Sequence, residues 1–450
     1  MKKPLIFLTS AFVLTGISIM LVSFRSDHKR SLSDTTRACC YNHTTPPAEP
    51  KGCVFKTVYE GEGLDPEFVL ATPATVLAAQ DQAFSWMMQA QNADGGFGAG
   101  THARQDVRDP HTVKSDPATT AMVSMAMLRA GSTPMEGRYA NVLAATTEFL
   151  LKAVENSPEE ALNITDLTGT QIQVKLGQNI DVALTSQYLS NLMGRMPCND
   201  PKHDRLLNAL NKSVRKIQRA QTANGSVQGS GWAGVLQSSF ATNALESAEA
   251  VGGDVDVKAL DLARDFQKGN FDASTGSVAT ESAAGVTLYA VSGSTRASAK
   301  EARRAEEDMQ KAVSEGRLAA DAPVSVNNLQ EAGYTKDDAE KMNTAYQVYN
   351  TAKARAQSNE VVRGFGNNGG EEFLSFLQTG ESLIINKDKT WKNWYEATTA
   401  RLVEIQNEDG SWNGHHCITS PVFCTATSLL ILSVNNDIEQ LVAQGATVKR

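Results

Sequence analysis

The sequence predicts an all-α chain: a barrel of inner and outer helices assembled from helical hairpins. Three observations carry this expectation. Apolar residues recur at helical spacing in segment after segment, as with Val76, Leu77, Ala83, Phe84, Met87 and Met88 in TPATVLAAQDQAFSWMMQAQ. Several of these segments end in a glutamine followed by a tight polar turn: QNADGGFG from Gln91, QTANGSV from Gln221, QKGNFDASTGSV from Gln267 and QNEDGSW from Gln406. The segments that follow the turns are rich in small residues, such as Ala118–Ala121, Ser238, Ser239, Ala241 and Thr242, and Thr425–Ser428.

Each observation has a physical reason. Asn-Gly and Asp-Gly pairs favour turns because glycine accepts the positive φ that other residues resist. One hairpin cannot bury its apolar faces alone, so successive hairpins must stack. Small side chains let helices approach closely, as a crowded inner ring requires, while the bulkier, more charged helices before the turns suit an outer ring. Gln267 follows Gln221 by 46 residues, and the 130 residues from Gln91 to Gln221 are close to three such steps. The 185 residues from Gln221 to Gln406 exceed three steps by about one insertion.

Taken in order, residues 1–30 are a signal or membrane anchor. Lys2 and Lys3 precede an apolar run from Leu5 to Phe24, long enough to span a bilayer, with the N-terminus inside. No A-x-A cleavage site stands near Phe24, so a retained anchor is preferred over a cleaved signal peptide. Either way the remaining chain is expected to be exported, in the periplasm or cell envelope. Residues 31–69 are a polar, Pro-rich arm. Helical hairpins fill 70–293, where Asp116 and Pro117 supply an N-cap and first-turn proline for ATTAMVSMAMLRAG. Residues 294–360 are charged, helix-forming and without the turn pattern. They read as an outward helical insertion, either a solvated hairpin or a surface for a protein partner. Hairpins resume over 361–450.

Composition narrows the function classes. With 450 residues, 41% hydrophobic and 20% charged, the chain can build a large core. A net charge of −8 and the lack of a basic patch exclude a general nucleic-acid surface. Six cysteines (Cys39, Cys40, Cys53, Cys198, Cys417 and Cys424) in an exported chain permit disulfides.

The turn motifs, above all QNEDGSW, resemble the QW-type repeats of the prenyltransferase and squalene cyclase superfamily. The resemblance covers roughly residues 70–440 and implies an α/α toroid. The superfamily's chemistries are not matched. Class II terpene cyclases use D-x-D-D, whereas Asp254-Val255-Asp256 lacks the remaining acid. Prenyltransferase β subunits hold zinc with an Asp, a Cys two residues later and a distant His. Here Asp116 has the comparable helix start, but Ala118 and Cys424 stand where the Cys and His would be. The thioester segment of complement-like toroids is absent.

Three clusters remain as candidate sites. His415, His416, Cys417 and Cys424 could bind zinc, with His102, Asp109 or His111 completing the set, or Cys417 and Cys424 could form a disulfide. The disulfide is the preferred reading. The loop carrying His102, Arg104, Asp109 and His111 could rim a central cavity and bind a polar or anionic ligand, or its charges could pair among themselves. Asp116, Glu371 and Glu372 are the candidate catalytic acids. Acid–base work would require a buried carboxyl with a raised pKa, whereas acids in a helix's first turn are also favoured by its dipole. The function expected is a ligand-binding or scaffold toroid; the alternative is an enzyme acting on an isoprenoid or a polysaccharide. The low aromatic content, 6%, weighs against carbocation chemistry.

Overall fold

The computed structural model describes residues 68–196 and 199–446. The expected anchor over 5–24, the arm up to residue 67, and Cys39, Cys40, Cys53 and Cys198 lie outside the described residues. The chain is all-helical: among the described residues the only β pairing is four isolated bridges. In order, the helices are α1 (Ala74–Gln89), α2 (Pro117–Arg129), α3 (Ala140–Asn156), α4 (Gln171–Leu176), α5 (Ile180–Met193), α6 (His203–Ala220), α7 (Gly234–Ala250), α8 (Val257–Gly269), α9 (Thr287–Ser314), α10 (Val326–Glu331), α11 (Lys336–Ala356), α12 (Asn359–Val362), α13 (Gly370–Ile385), α14 (Trp391–Glu404), α15 (Pro421–Leu432) and α16 (Ile438–Gly445). No described helix is long and apolar enough to cross a membrane.

Two classes of helix are distinguished by burial. Every residue of α2, α13 and α15 is buried, as are nearly all of α5 and α7 and the run Leu288–Ala299 of α9. These six pack in succession: α2 on α5, α5 on α7, α7 on α9, α9 on α13, α13 on α15, and α15 back on α2. Their Ala, Ser and Thr content allows this, because each hydroxyl can return its hydrogen bond to its own helix, as Ser124 does to Thr120 O and Thr379 to Ser375 O. The other long helices are buried on one stripe. In α6 that stripe is Leu206, Ala209, Leu210, Ser213, Val214 and Ile217, the spacing of a helix lying on a core. α3 packs on α2, α6 on α5, α8 on α9, α11 on α9 and α14 on α13.

Three of the four Gln-and-turn motifs share one geometry, while the turn after Gln267 is a residue longer, with Asp272 N–H donating to Ser277 O. Asn92 N–H donates to Gly96 O, Thr222 N–H to Ser226 O, and Asn407 N–H to Ser411 O, at 2.8–3.0 Å. In these turns Gly95, Gly225 and Gly410 hold φ near +90°, the left-handed region that glycine enters without cost. The residue after each turn then donates its N–H to a hydroxyl of the next buried helix: Phe97 to Thr120, Val227 to Ser238, and Trp412 to Thr425. Trp412 is 1% exposed and its indole N–H donates to Leu402 O, so the ring locks α14 to the turn that follows it.

At their C-terminal ends, α2, α13 and α15 are tied by buried charge. Arg129 reaches Glu381 at 2.6 Å, Asp437 at 2.8 Å and Leu430 O at 2.9 Å, while Arg195 holds the other Asp437 oxygen at 2.6 Å. Beside this network, Met122, Met125, Phe240, Leu377 and Leu430 leave a void of only about 10 Å³.

Residues 294–360 begin inside α9: Ser294 is fully buried in an unbroken helix. Beyond it, α9 and α11 form a long hairpin with a small core of Ala305, Met309, Leu329, Ala339 and Met342.

Candidate functional site at the N-terminal helix ends

The opposite end, where the buried helices begin, gathers the chemistry. Short α4 carries Gln171 and Lys175 four residues apart and so on one face; a Thr170–Gln173 capping box fixes its start. The loop before α7 lies along α4, with Gly231, Trp232 and Ala233 N–H groups bonded to Leu176, Val174 and Lys175 carbonyls. The loops before α13 and α15 lie backbone on backbone: His415 N–H donates to Asn368 O at 2.6 Å and Gly370 N–H to Ile418 O at 2.9 Å. Glycine is required for this approach. A Cβ at Gly414 would stand 2.0 Å from Ile418 O, and one at Gly369 would stand 2.3 Å from His416 O.

Lys175 is at the centre. Its Nζ lies 3.4 Å from Glu371 Oε1 and 3.6 Å from Cys417 Sγ. The rings of Trp232 and Tyr289 face it at 5.9 and 5.8 Å. Trp232 is 60% exposed and forms the outer wall, with His102 edge-on to it at 5.7 Å. Glu371 is fully buried, and neither of its oxygens has a hydrogen-bond partner. Burial pushes its carboxyl up, and the Lys175 charge offsets only part of that. Glu372 accepts from Gly366 N–H and Asn368 Nδ2, so it shapes the Gly- and Asn-rich loop around itself; burial raises it to about 7.

Cys417 holds φ at +62°, a left-handed conformation that non-glycine residues seldom adopt. Its sulfur lies 3.3 Å from His416 Nδ1. Burial raises the thiol's pKa, Glu371 adds to that, and Lys175 opposes it. Burial, then Lys175 and His415, lower His416, which favours a neutral imidazole. Gln171 braces the loop from below: its Oε1 accepts from Thr419 N–H at 2.7 Å and Ser420 N–H at 3.0 Å, while its Nε2 is buried without a partner.

The residues singled out by sequence divide accordingly. Glu371, His416, Cys417 and His102 come together here; His415 lies beside His416 with ring centroids 6.0 Å apart. Arg104 pairs with Asp106 on the surface, and Asp109 caps His111 N–H, so Arg104, Asp109 and His111 are engaged with their own loop rather than with the lysine. Arg108 instead ties the loop to Thr419 O at 2.8 Å. Asp116 is fully buried, its oxygens filled by Ala99 N–H, Thr119 N–H and the Thr119 hydroxyl. It faces a second buried acid, Asp181, which accepts from Ala118 N–H and Gln173 Nε2. Burial raises Asp116 to about 6; burial, then the Asp116 charge, raises Asp181 to about 7. The two carboxylates thus meet at the start of α2 and α5, where both accept from N–H groups of α2's first turn.

The expected Cys417–Cys424 disulfide is not formed: both are free thiols. Cys424 is fully buried and donates to Ile418 O at 3.5 Å, whereas the Cys417 sulfur points to Lys175 and His416. Zinc fares no better. Glu371, His416 and Cys417 offer donors within 4.8 Å of one another, a set of suitable chemistry. However, the Lys175 Nζ lies within 3.6 Å of two of the three, so a divalent ion on these donors would sit against a like-charged ammonium. As arranged, with Lys175 in place, these residues do not fit the metal.

Sequence reasoning missed Lys175, Gln171, Trp232 and Tyr289. The one signal available was a lysine set four residues after a glutamine among Ile172, Val174 and Leu176, an apolar setting in which a solvated lysine is out of place. Compared with family models, curated proteins and solved structures, the chain gives no match.

Proposed function

We propose that this chain is an exported α/α toroid of the prenyltransferase–squalene cyclase repeat type, with α2, α5, α7, α9, α13 and α15 as its inner ring. In this reading it binds a small ligand carrying a carboxylate or carbonyl oxygen at the rim formed by the N-terminal helix ends. It does not use the cyclase or zinc-prenyltransferase chemistry of that superfamily. The observation that carries the reading is Lys175: a buried lysine, facing a buried carboxylate with no hydrogen bonds, beneath an exposed tryptophan. A ligand oxygen would accept from the ammonium while a flat or apolar body lay on Trp232. The first turns of α9, α13 and α15 add the positive ends of three helix dipoles. The expected 5–24 segment would hold the toroid at the membrane. Calorimetric titration of the full chain with benzoate tests the reading. Saturable binding that disappears in Lys175→Met and weakens in Trp232→Ala is expected; equal binding by all three proteins would sink it.

One observation favours a second reading, binding of a polysaccharide. Trp232 is an exposed aromatic platform of the kind on which sugar rings stack. Titration with soluble oligosaccharides distinguishes the two, since sugar binding would depend on Trp232 and be indifferent to Lys175→Met.

A further inference from the structure

We propose that Cys417 is the nucleophile of an acyl-transfer reaction on a carboxylic ester held at this rim. The proposal rests on the ligand-binding reading above and deepens it. Three independent features point to it. Cys417 occupies a strained backbone conformation, φ +62°, which is kept only where the surroundings enforce it. Its sulfur lies 3.3 Å from a ring nitrogen that can take its proton and 3.6 Å from an ammonium that can stabilise the resulting thiolate. The fully buried Glu371 carboxylate, ion-paired with Lys175 at 3.4 Å, lies beside the sulfur, and the Gln171 amide nitrogen, on the side chain that braces the loop, is buried without a partner. Cys424, seven residues on, has none of these features: it is fully buried, with its thiol donating to a carbonyl.

The step balances with the groups present. The Cys417 sulfur attacks the ester carbonyl carbon while its proton passes to His416 Nδ1, and the developing oxyanion is stabilised by the Lys175 ammonium. As the tetrahedral intermediate collapses, the carbon–oxygen bond to the alcohol breaks and the alcohol takes the proton from His416. Water, deprotonated by the same imidazole, then attacks the thioester, releasing the carboxylic acid and restoring the thiol. Glu371 acts as a positioning residue. It holds Lys175 in place, and its negative charge opposes thiolate formation. The charged or titratable groups around the sulfur are Glu371 from α13, Lys175 from α4, Tyr289 from α9, and His416 and His415 from the cysteine's own loop.

The test uses the full chain in detergent with p-nitrophenyl acetate. A stoichiometric burst of nitrophenolate is expected, with an acetyl group on the peptide carrying Cys417; Cys417→Ser abolishes both. Lys175→Met slows acylation roughly 10²-fold, and Lys175→Arg, which keeps the charge, recovers part of that rate. Glu371→Gln moves the pH midpoint of acylation downward, a change that a purely structural role would not produce. A burst that persists in Cys417→Ser, or acetyl found only on other residues, overturns the proposal. Benzoate binding to the wild-type chain is measured in parallel. Binding without acylation of Cys417 overturns acyl transfer alone, whereas the absence of both overturns the rim reading with it.

Discussion

Replacing Lys175 with Met keeps most of the side-chain stem and removes the ammonium beside Glu371. Two unit charges 3.4 Å apart at an effective dielectric constant of about 20 attract by about 5 kcal/mol. Breaking a buried pair by deleting one partner costs roughly 3–5 kcal/mol. Here the remaining carboxylate stays fully buried with its counter-charge removed, so its escape is to bind a proton. That makes the cost depend on pH. Glu371 has a folded-state pKa raised above its ordinary value of 4.5, and losing Lys175 raises it further. An acid shifted upward on folding binds more protons folded than unfolded, so stability falls as pH rises from the unfolded pKa through the folded one. Urea unfolding of the full chain should therefore show Lys175→Met less stable by about 3–5 kcal/mol at pH 8 and by only about 1 kcal/mol at pH 4.5. Adding Glu371→Gln should restore most of the loss at pH 8, with a coupling energy of about 2–3 kcal/mol in the double-mutant cycle. A deficit equal at both pH values, or below about 1 kcal/mol at pH 8, would refute the reasoning.

Three further perturbations follow from the same structure. Asp181, raised to about 7 next to Asp116 at about 6, destabilises the fold as pH climbs from about 4 to 7. Asp181→Asn should flatten that part of the stability–pH curve by roughly 2–3 kcal/mol, read by denaturant titration at several pH values. Trp412→Ala empties a fully buried site and frees Leu402 O, so it should cost about 3–5 kcal/mol in the same assay. Gly414→Ala places a methyl group 2.0 Å from Ile418 O and must push the two site loops apart. A loss of about 1–3 kcal/mol is expected, together with a changed alkylation rate at Cys417, followed by peptide mass spectrometry.

Different parts of this molecule were legible in the sequence to different degrees. The turns at Gln91, Gln221 and Gln406 could be read because the requirement is local: glycine at a positive φ and an Asp or Asn side chain accepting from the backbone N–H two residues on. The start of α2 was equally plain in Asp116 and Pro117, which serve as N-cap and first-turn residue. The segment from Ser294 looked like a charged excursion because its buried stripe is written in small residues (Ala297, Ala299, Ala302, Ala305 and Ala312), which hydropathy patterns barely register. The site was half visible. Glu371, His416 and Cys417 stood out by residue type, but nothing local joins them. Their meeting depends on Lys175, about two hundred residues upstream of Glu371, on a two-turn helix whose sequence carries no motif. The disulfide preference failed for a related reason. Spacing places Cys417 and Cys424 near each other in the chain, yet the helix start at Pro421 buries one thiol while the strained turn aims the other at Lys175.

The most direct test of the account is a crystal structure of the chain soaked with benzoate and with indole-3-acetate. The carboxylate is expected on Lys175 Nζ and the ring against Trp232, with Glu371 and Cys417 beside the ammonium. Ligand density confined to the outer groove of about 800 Å³ between Asp94 and Asp166, with the Lys175 rim empty, would contradict it.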